Sequence, residues 1–331
     1  MPLIVDGTSG VTFNDSSLQG AAASPFGLKN RIINGAMQVW QRGTSFSASG
    51  ANFYTADRWQ TLTQTGTYSR STDVPAGFQY SLSINSTSTF FGTITQRIES
   101  ANAVDLAGQT VTISFWAKAT VGGASGLAVG LDYANSVDNF SSNTFIGGGS
   151  TAALTSTWTR YSVTVTNLNA NVVNGLQVYI YNQAGGTSAI TYLITGVQLE
   201  IGTSATPFER RLYNQELANC QRYYYKLQSN SADSFFGSAF NVSTTLAIGI
   251  TFFPVTLRTA PSALEQSGTA GDYRVRASAG NTNCSAVPTW DGSSVNNGTT
   301  IFTVASGLTS GQGVALRAVN SSAYLAWSAE L

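Results

Sequence analysis

The side chains that could do chemistry here are defined first by an omission. None of the 331 residues is histidine, so Ser-His-Asp and Cys-His nucleophile systems cannot be assembled, nor can imidazole-ligated metal centres. Carboxylates remain. Asp57, Asp73, Glu99, Asp105, Asp132 and Asp138 are raw material for the acid and base pair that cleaves a glycosidic bond. They are scattered among turn residues without paired spacing, and the expectation is a protein that is not an enzyme. Asp132 and Asp138 lie in the Gly-, Asn- and Ser-rich stretch "GLDYANSVDNFSSN", read as a loop. They are candidate oxygen ligands for a structural calcium ion, although their spacing does not fit an EF-hand loop. Cys220 and Cys284 lie far apart and are expected to be reduced thiols packed as small apolar groups.

Aromatic residues offer a different chemistry, stacking on the apolar face of a sugar ring while polar neighbours take its hydroxyls. Tyr273 in "GDYRVRAS", and Trp290 with Asp291 in "VPTWDGSS", a Pro- and Gly-bounded stretch that reads as a loop, are the candidates for such a glycan site. For Trp290 a purely structural role has equal weight. Tyr324 and Trp327, near the C-terminus, are expected in the core, and Trp40, Trp59, Trp116 and Trp158 as core or interface anchors. Arg42, Asp57 and Arg58 are read as a partly buried ion pair fixing a hydrogen-bonded turn. Tyr213, Leu217, Cys220 and Tyr224 recur at spacings of four, three and four, one face of a helix. That stripe is expected to pack between domains and between chains. On such a helix Tyr223, Tyr224 and Tyr225 diverge, which argues against a stacking platform for single-stranded nucleic acid.

The elements that must position these residues follow from composition and periodicity. A hydrophobic fraction of 42% supports real cores, and the length suits about two domains. With 16 basic against 16 acidic residues there is no electrostatic footprint for nucleic acid. No run approaches the roughly 18 to 20 apolar residues that span a bilayer, and the N-terminus lacks a signal-peptide pattern, so neither membrane insertion nor signal-peptide export is expected.

Period-two alternation recurs along the chain. Phe78, Tyr80, Leu82 and Ile84 share a face, as do Val111, Ile113, Phe115 and Ala117. Tyr161, Val163 and Val165 follow, then Leu176, Val178 and Ile180, then Val197 and Leu199, and later Leu246, Ile248, Ile250 and Phe252. The predicted fold is all-β, an antiparallel β-sandwich (jelly-roll) domain over 29–208 and a smaller C-terminal β-domain over 227–331, joined by a short helix over 209–226. Residues 1–28 make too little core to stand alone and read as an attachment segment.

Three signatures carry a resemblance. "NRIINGAMQVWQRGTSF" followed by "YTADRW" is similar to the start of a jelly-roll module of bacteriophage tail-fibre proteins. "VTISFWAKA" and "TWTRYSVTV" resemble strands of carbohydrate-binding modules. "ITGVQLEIGTSATPFERRLYNQELANCQRYYYK" resembles the junction after that module in the phage proteins. The resemblance covers about 30 to 226. It implies a virion location in a phage tail, synthesis in the host cytoplasm, a homotrimer, N-terminal docking on another tail or virion protein, and attachment to a bacterial surface polysaccharide. Capsid or tail decoration without a receptor role is the alternative, and a polysaccharide depolymerase a more distant one.

Overall fold

The computed structural model describes residues 29–62, 65–86, 92–120, 125–183 and 190–331, together with three short strands in the first 28 residues. Those strands, β1 (Ile4–Asp6), β2 (Gly10–Thr12) and β3 (Leu18–Gln19), pair antiparallel in that order. The rest of the attachment segment lies outside the described residues.

The first unit contains β4 (Ser45–Ser49), β5 (Gln60–Thr61), β6 (Thr65–Ser71), β7 (Ser81–Ser86), β8 (Ile94–Ile98) and β9 (Val111–Ala119). It continues with β10 (Leu127–Ser136), β11 (Asn139–Ser150), β12 (Thr159–Val165), β13 (Leu176–Asn182) and β14 (Ile190–Ile201). Two antiparallel sheets result, one in the order β11-β10-β13-β8-β5 and one in the order β12-β9-β14-β7-β6-β4. Their inner faces meet as a sandwich. Val111, Ile113 and Phe115 of β9 and Leu82 and Ile84 of β7 share one core with Leu127, Val129 and Leu131 of β10 and Val178 and Ile180 of β13. Apolar alternation drives this, because each strand can bury one side and must pair the backbone polar groups of both.

Local readings need correction. The stretch read as a loop around Asp132 and Asp138 is a hairpin, in which β10 turns into β11 at Val137 and Asp138, with Asp138 at φ 54°. The strand expected from Phe78 begins only at Ser81, and Phe78 packs instead against Phe208, ring centroids 5.2 Å apart. Of the four tryptophans expected as anchors Trp59 is fully buried, Trp40 is half-buried against the same core, and Trp116 and Trp158 are half-buried.

Two sequence signatures, about 180 residues apart, form one polar clasp. Asn34 folds the turn after it by accepting from the Gln38 and Val39 amides at 2.8 and 3.0 Å and donating to the Val39 and Asp57 carbonyls at 2.9 and 3.0 Å. Glu209 accepts from the Lys29 and Asn30 amides, Glu216 accepts from the Asn34 amide, and Arg211 donates to the Asn30 and Ile32 carbonyls. Buried backbone groups that no sheet satisfies are thus paired by side chains, as burial requires.

The second unit begins with α1 (Tyr213–Gln221) and β15 (Tyr224–Gln228), then β16 (Phe235–Asn241), β17 (Leu246–Phe252), β18 (Glu265–Gln266) and β19 (Tyr273–Ala277). It ends with β20 (Gly280–Asn283), β21 (Thr289–Ser293), β22 (Asn297–Thr303), β23 (Gly313–Ala318) and β24 (Tyr324–Ser328). A three-stranded sheet β15-β24-β18 packs with a seven-stranded sheet β20-β19-β23-β16-β17-β22-β21. Phe236, Tyr273, Phe302, Leu325 and Trp327 fill the core between them.

The helix expected over 209–226 is therefore shorter, and Tyr224 and Tyr225 open a strand. Aromatic residues favour a pleated surface, and Tyr225 gains a cross-strand partner in Trp327, ring centroids 6.0 Å apart and nearly parallel. The stripe Tyr213, Leu217, Cys220 and Tyr224 does not form one outward face: Tyr213 is exposed, Leu217 is half-buried, and Cys220 and Tyr224 are buried within the chain. Tyr224 packs between the two units, with the Arg42 guanidinium 3.5 Å from its ring centre.

Charged groups bind the units together. Glu330 makes a close ion pair with the fully buried Arg58 and lies 3.4 Å from both terminal nitrogens of Arg42. The ion pair expected within the Arg42, Asp57 and Arg58 turn thus finds its acid in the other unit, while Asp57 accepts from the Gln41 amide at 2.9 Å and its side chain at 2.5 Å. Arg58 also stacks on Tyr223, 3.5 Å from the ring centre.

Candidate functional site

The outer face of the five-stranded sheet brings together the side chains best suited to hold a ligand. Leu176, Val178 and Ile180 of β13 point into the core, so Gln177, Tyr179 and Tyr181 must point outward. Register then sets their neighbours. Arg97, Gln177, Asp132 and Phe145 lie directly opposite one another across β8, β13, β10 and β11. The next row is Thr95, Tyr179, Gly130 and Gly148, and the one after pairs Tyr181 with Ala128 and Ser150.

Small residues on β10 and β11 leave room for the large rings of β13. The Tyr179 ring lies across Gly130, where a Cβ would overlap it. Tyr181 stacks beside Tyr179 with centroids 6.1 Å apart and planes 26° apart. Phe145 is 62% exposed at the other end of the charged row. The ladder shifts register between Leu131 and Asp132, where Ile146 is the extra residue on β11, and such a bulge re-aims the side chains beside it.

A chain of hydrogen bonds edges this aromatic platform. The Arg97 Nε donates to Gln177 Oε1 at 3.1 Å, Gln177 Nε2 donates to Asp132 Oδ2 at 3.4 Å, and the Tyr179 hydroxyl donates to Asp132. Burial pushes the Asp132 carboxyl above its ordinary value, against the pull of the hydrogen bonds from Tyr179 and Gln177. Burial, reinforced by the charge of Asp132, pushes the Tyr179 phenol up, so it stays a neutral donor. The face therefore presents two adjoining half-buried rings, with Tyr179 held in place by the Asp132 and Gln177 hydrogen-bond chain, an arrangement that fits a saccharide ring lying flat.

The sequence candidates are placed elsewhere. Tyr273 is fully buried, and its hydroxyl donates to the Tyr324 carbonyl at 2.7 Å, so it cannot meet a sugar. Core alternation in β19 claims it. Trp290 is 41% exposed but lies in β21, not in a loop, and its indole is 3.4 Å from Ser293 Oγ. Asp291 is exposed beside it, the extra residue where the β21 and β22 register shifts. Trp290 and Asp291 stand apart from Tyr273, so the expected trio is not one site.

The two calcium candidates are also separated by their bonding. Asp132 belongs to the platform, whereas Asp138 accepts from the Ser100 amide at 2.6 Å and its hydroxyl at 3.1 Å. Both carboxylates face N–H or O–H donors where a cation would need free oxygen. Among the described residues, no group of three His, Cys, Asp or Glu is placed to hold a metal ion.

Tyr179, Tyr181, Gln177 and Phe145 were missed as candidates. The signal for Gln177, Tyr179 and Tyr181 lies in "LQVYIYN", since a strand with aliphatics on one side and two tyrosines on the other spends large rings on its outer face; Phe145 has no such signal.

No family model matches the chain, and no curated protein matches it. Among solved structures, the first xylan-binding module of Paenibacillus barcinonensis Xyn10C is similar at 13% identity, covering 55% of this chain and 100% of that one, with a TM-score of 0.34. The enzymatically active domain of bacteriophage CBA120 tailspike protein 4 is similar at 17% identity, covering 55% and 22%, with a TM-score of 0.35. A Clostridium thermocellum xylanase 10B fragment with its binding module is similar at 9% identity, covering 53% and 29%, with a TM-score of 0.34. At these scores the likeness carries no argument about role.

Proposed function

We propose that this protein is a non-catalytic, glycan-binding subunit of a bacteriophage tail fibre that attaches the particle to a host surface polysaccharide. The observation that carries the binding role is the pair of adjoining tyrosine rings, Tyr179 and Tyr181, laid on the outer sheet face beside the Asp132 and Gln177 hydrogen-bond chain. The virion role is supported by the sequence resemblance of the clasp motifs, and the N-terminal segment docks on another tail or virion protein.

A homotrimer fits this role, because weak single-site binding gains about 10² to 10⁴ in avidity from linked sites. The surface available for it is the outer face of β16 and β17, where Phe240, Ile250 and Phe252 are exposed together. An apolar patch of this kind marks a contact surface.

The test is retention of the full chain on immobilised bacterial surface polysaccharides, compared with Tyr179→Ala. Retention by the parent protein that falls at least about tenfold in the variant, equivalent to about 1.4 kcal/mol, supports the reading. Equal retention of both, or none by the parent, overturns it.

A further inference from the structure

Residues of both units line an open cleft of about 560 Å³, within the size range of about 300 to 1,000 Å³ usual for small-molecule sites. Phe53 and Tyr54 wall it from the sandwich, and Tyr224 and Tyr324 from the other unit. Two cations and one acid line it as well: Arg42, whose guanidinium lies 3.5 and 4.6 Å from the centres of the Tyr224 and Tyr54 rings, Lys226, and Glu265.

Of the acids nearby, Glu330 is paired with Arg58, and Glu265 acts on Lys226 through its charge. Glu330 directs one carboxylate oxygen to Arg58 and leaves Arg42 with long contacts of 3.4 Å to the other. Glu265 accepts from the Tyr224 hydroxyl at 2.9 Å and is exposed at the cleft mouth. Lys226 holds its Nζ 4.1 Å from the centre of the Tyr324 ring, and among the described residues its ammonium has no hydrogen-bonded or ion-paired acceptor. An ammonium has three donors and no acceptor of its own. Here it is half-buried against the Tyr324 ring, a setting in which reduced screening strengthens its attraction for a counter-charge.

We propose that this inter-unit cleft is a second saccharide site, selective for a sugar that carries a carboxylate. The sugar packs against the half-buried Phe53, Tyr54 and Tyr324, and its carboxylate takes the Lys226 ammonium with Arg42 behind it. This goes beyond the sheet face, because residues of both units build the site and a bound sugar ties the units together.

Equilibrium binding is measured on the full chain with a panel of galacturonate, glucuronate and sialate oligosaccharides, each beside its carboxyl-reduced neutral counterpart. The expected result is that at least one acidic oligosaccharide binds tenfold or more tightly than its neutral counterpart. Lys226→Met abolishes that preference, and Tyr324→Leu weakens binding of the acidic form. Tyr179→Ala keeps the preference, which separates this site from the sheet face even if the latter binds nothing. Circular dichroism melts check that each variant is folded. No preference for any acidic form, or a preference that survives Lys226→Met in folded protein, overturns the proposal.

Discussion

Single residues decide how the tyrosine platform is held. Gly130 has no side chain beneath the Tyr179 ring, and alanine there would place a Cβ inside it. Gly130→Ala is therefore expected to lift the ring and cut polysaccharide retention about as far as Tyr179→Ala, roughly tenfold, with the far-ultraviolet spectrum unchanged. Asp132 makes a second prediction. Its folded-state carboxyl titrates above the ordinary 3.8 because burial penalises the charge. Between that ordinary value and the raised one, the folded chain holds more protons than the unfolded chain. The stability this confers is fully present at low pH and is lost as pH rises through the raised value. Asp132→Asn, which does not titrate, should show a shallower fall in melting temperature between about pH 4 and pH 7. A slope equal to the parent's would remove Asp132 from this account. Neither effect was legible in the sequence, where Gly130 is one of 33 glycines and Asp132 read as a loop residue.

At the scale of elements, strand alternation was readable and strand partners were not. The β9, β12 and β13 segments appear in the sequence as period-two runs, because each buries one face regardless of its neighbour. The helix stripe was misjudged because its spacing ignored competition: Tyr224 and Tyr225 gain more by pairing with β24 than by extending α1. The clasp between residues 29–42 and 206–216 was invisible, since hydrogen bonds across that distance leave no periodic trace.

The same holds for the Arg58 and Glu330 pair, which fixes one unit to the other. Glu330→Gln leaves Arg58 buried without its counter-charge, a change expected to cost about 3 to 5 kcal/mol. Denaturant melts followed by Trp fluorescence should show that loss, and a separation of the two units' transitions. A midpoint within experimental error of the parent's would mean that the pair contributes nothing net.

Among the described residues, two β units each hold their own core beside the short N-terminal sheet, and two further predictions belong at this scale. Cys220 and Cys284 are free and buried, and burial raises both thiols, Cys284 to about 12. Both should resist alkylation in the native protein and react together on unfolding; rapid native labelling of either would contradict the buried placement. Light scattering is expected to give the mass of a trimer, and Phe252→Lys, on the exposed face of β17, should shift it toward the monomer. A monomeric parent protein would remove the trimer from the proposed function.

The sequence by itself determined the all-β class, because alternation and the scarcity of long amphipathic runs act strand by strand. It also ruled out histidine chemistry, because a residue that is absent cannot be positioned. Only the tertiary structure decided that Tyr273 is core, that Glu330 serves Arg58, and that Tyr179 and Tyr181 rest beside Asp132 on a face kept clear by Gly130. Those are matters of register and long-range contact, set when sheets pair and pack, and the local order of residues does not encode them one at a time.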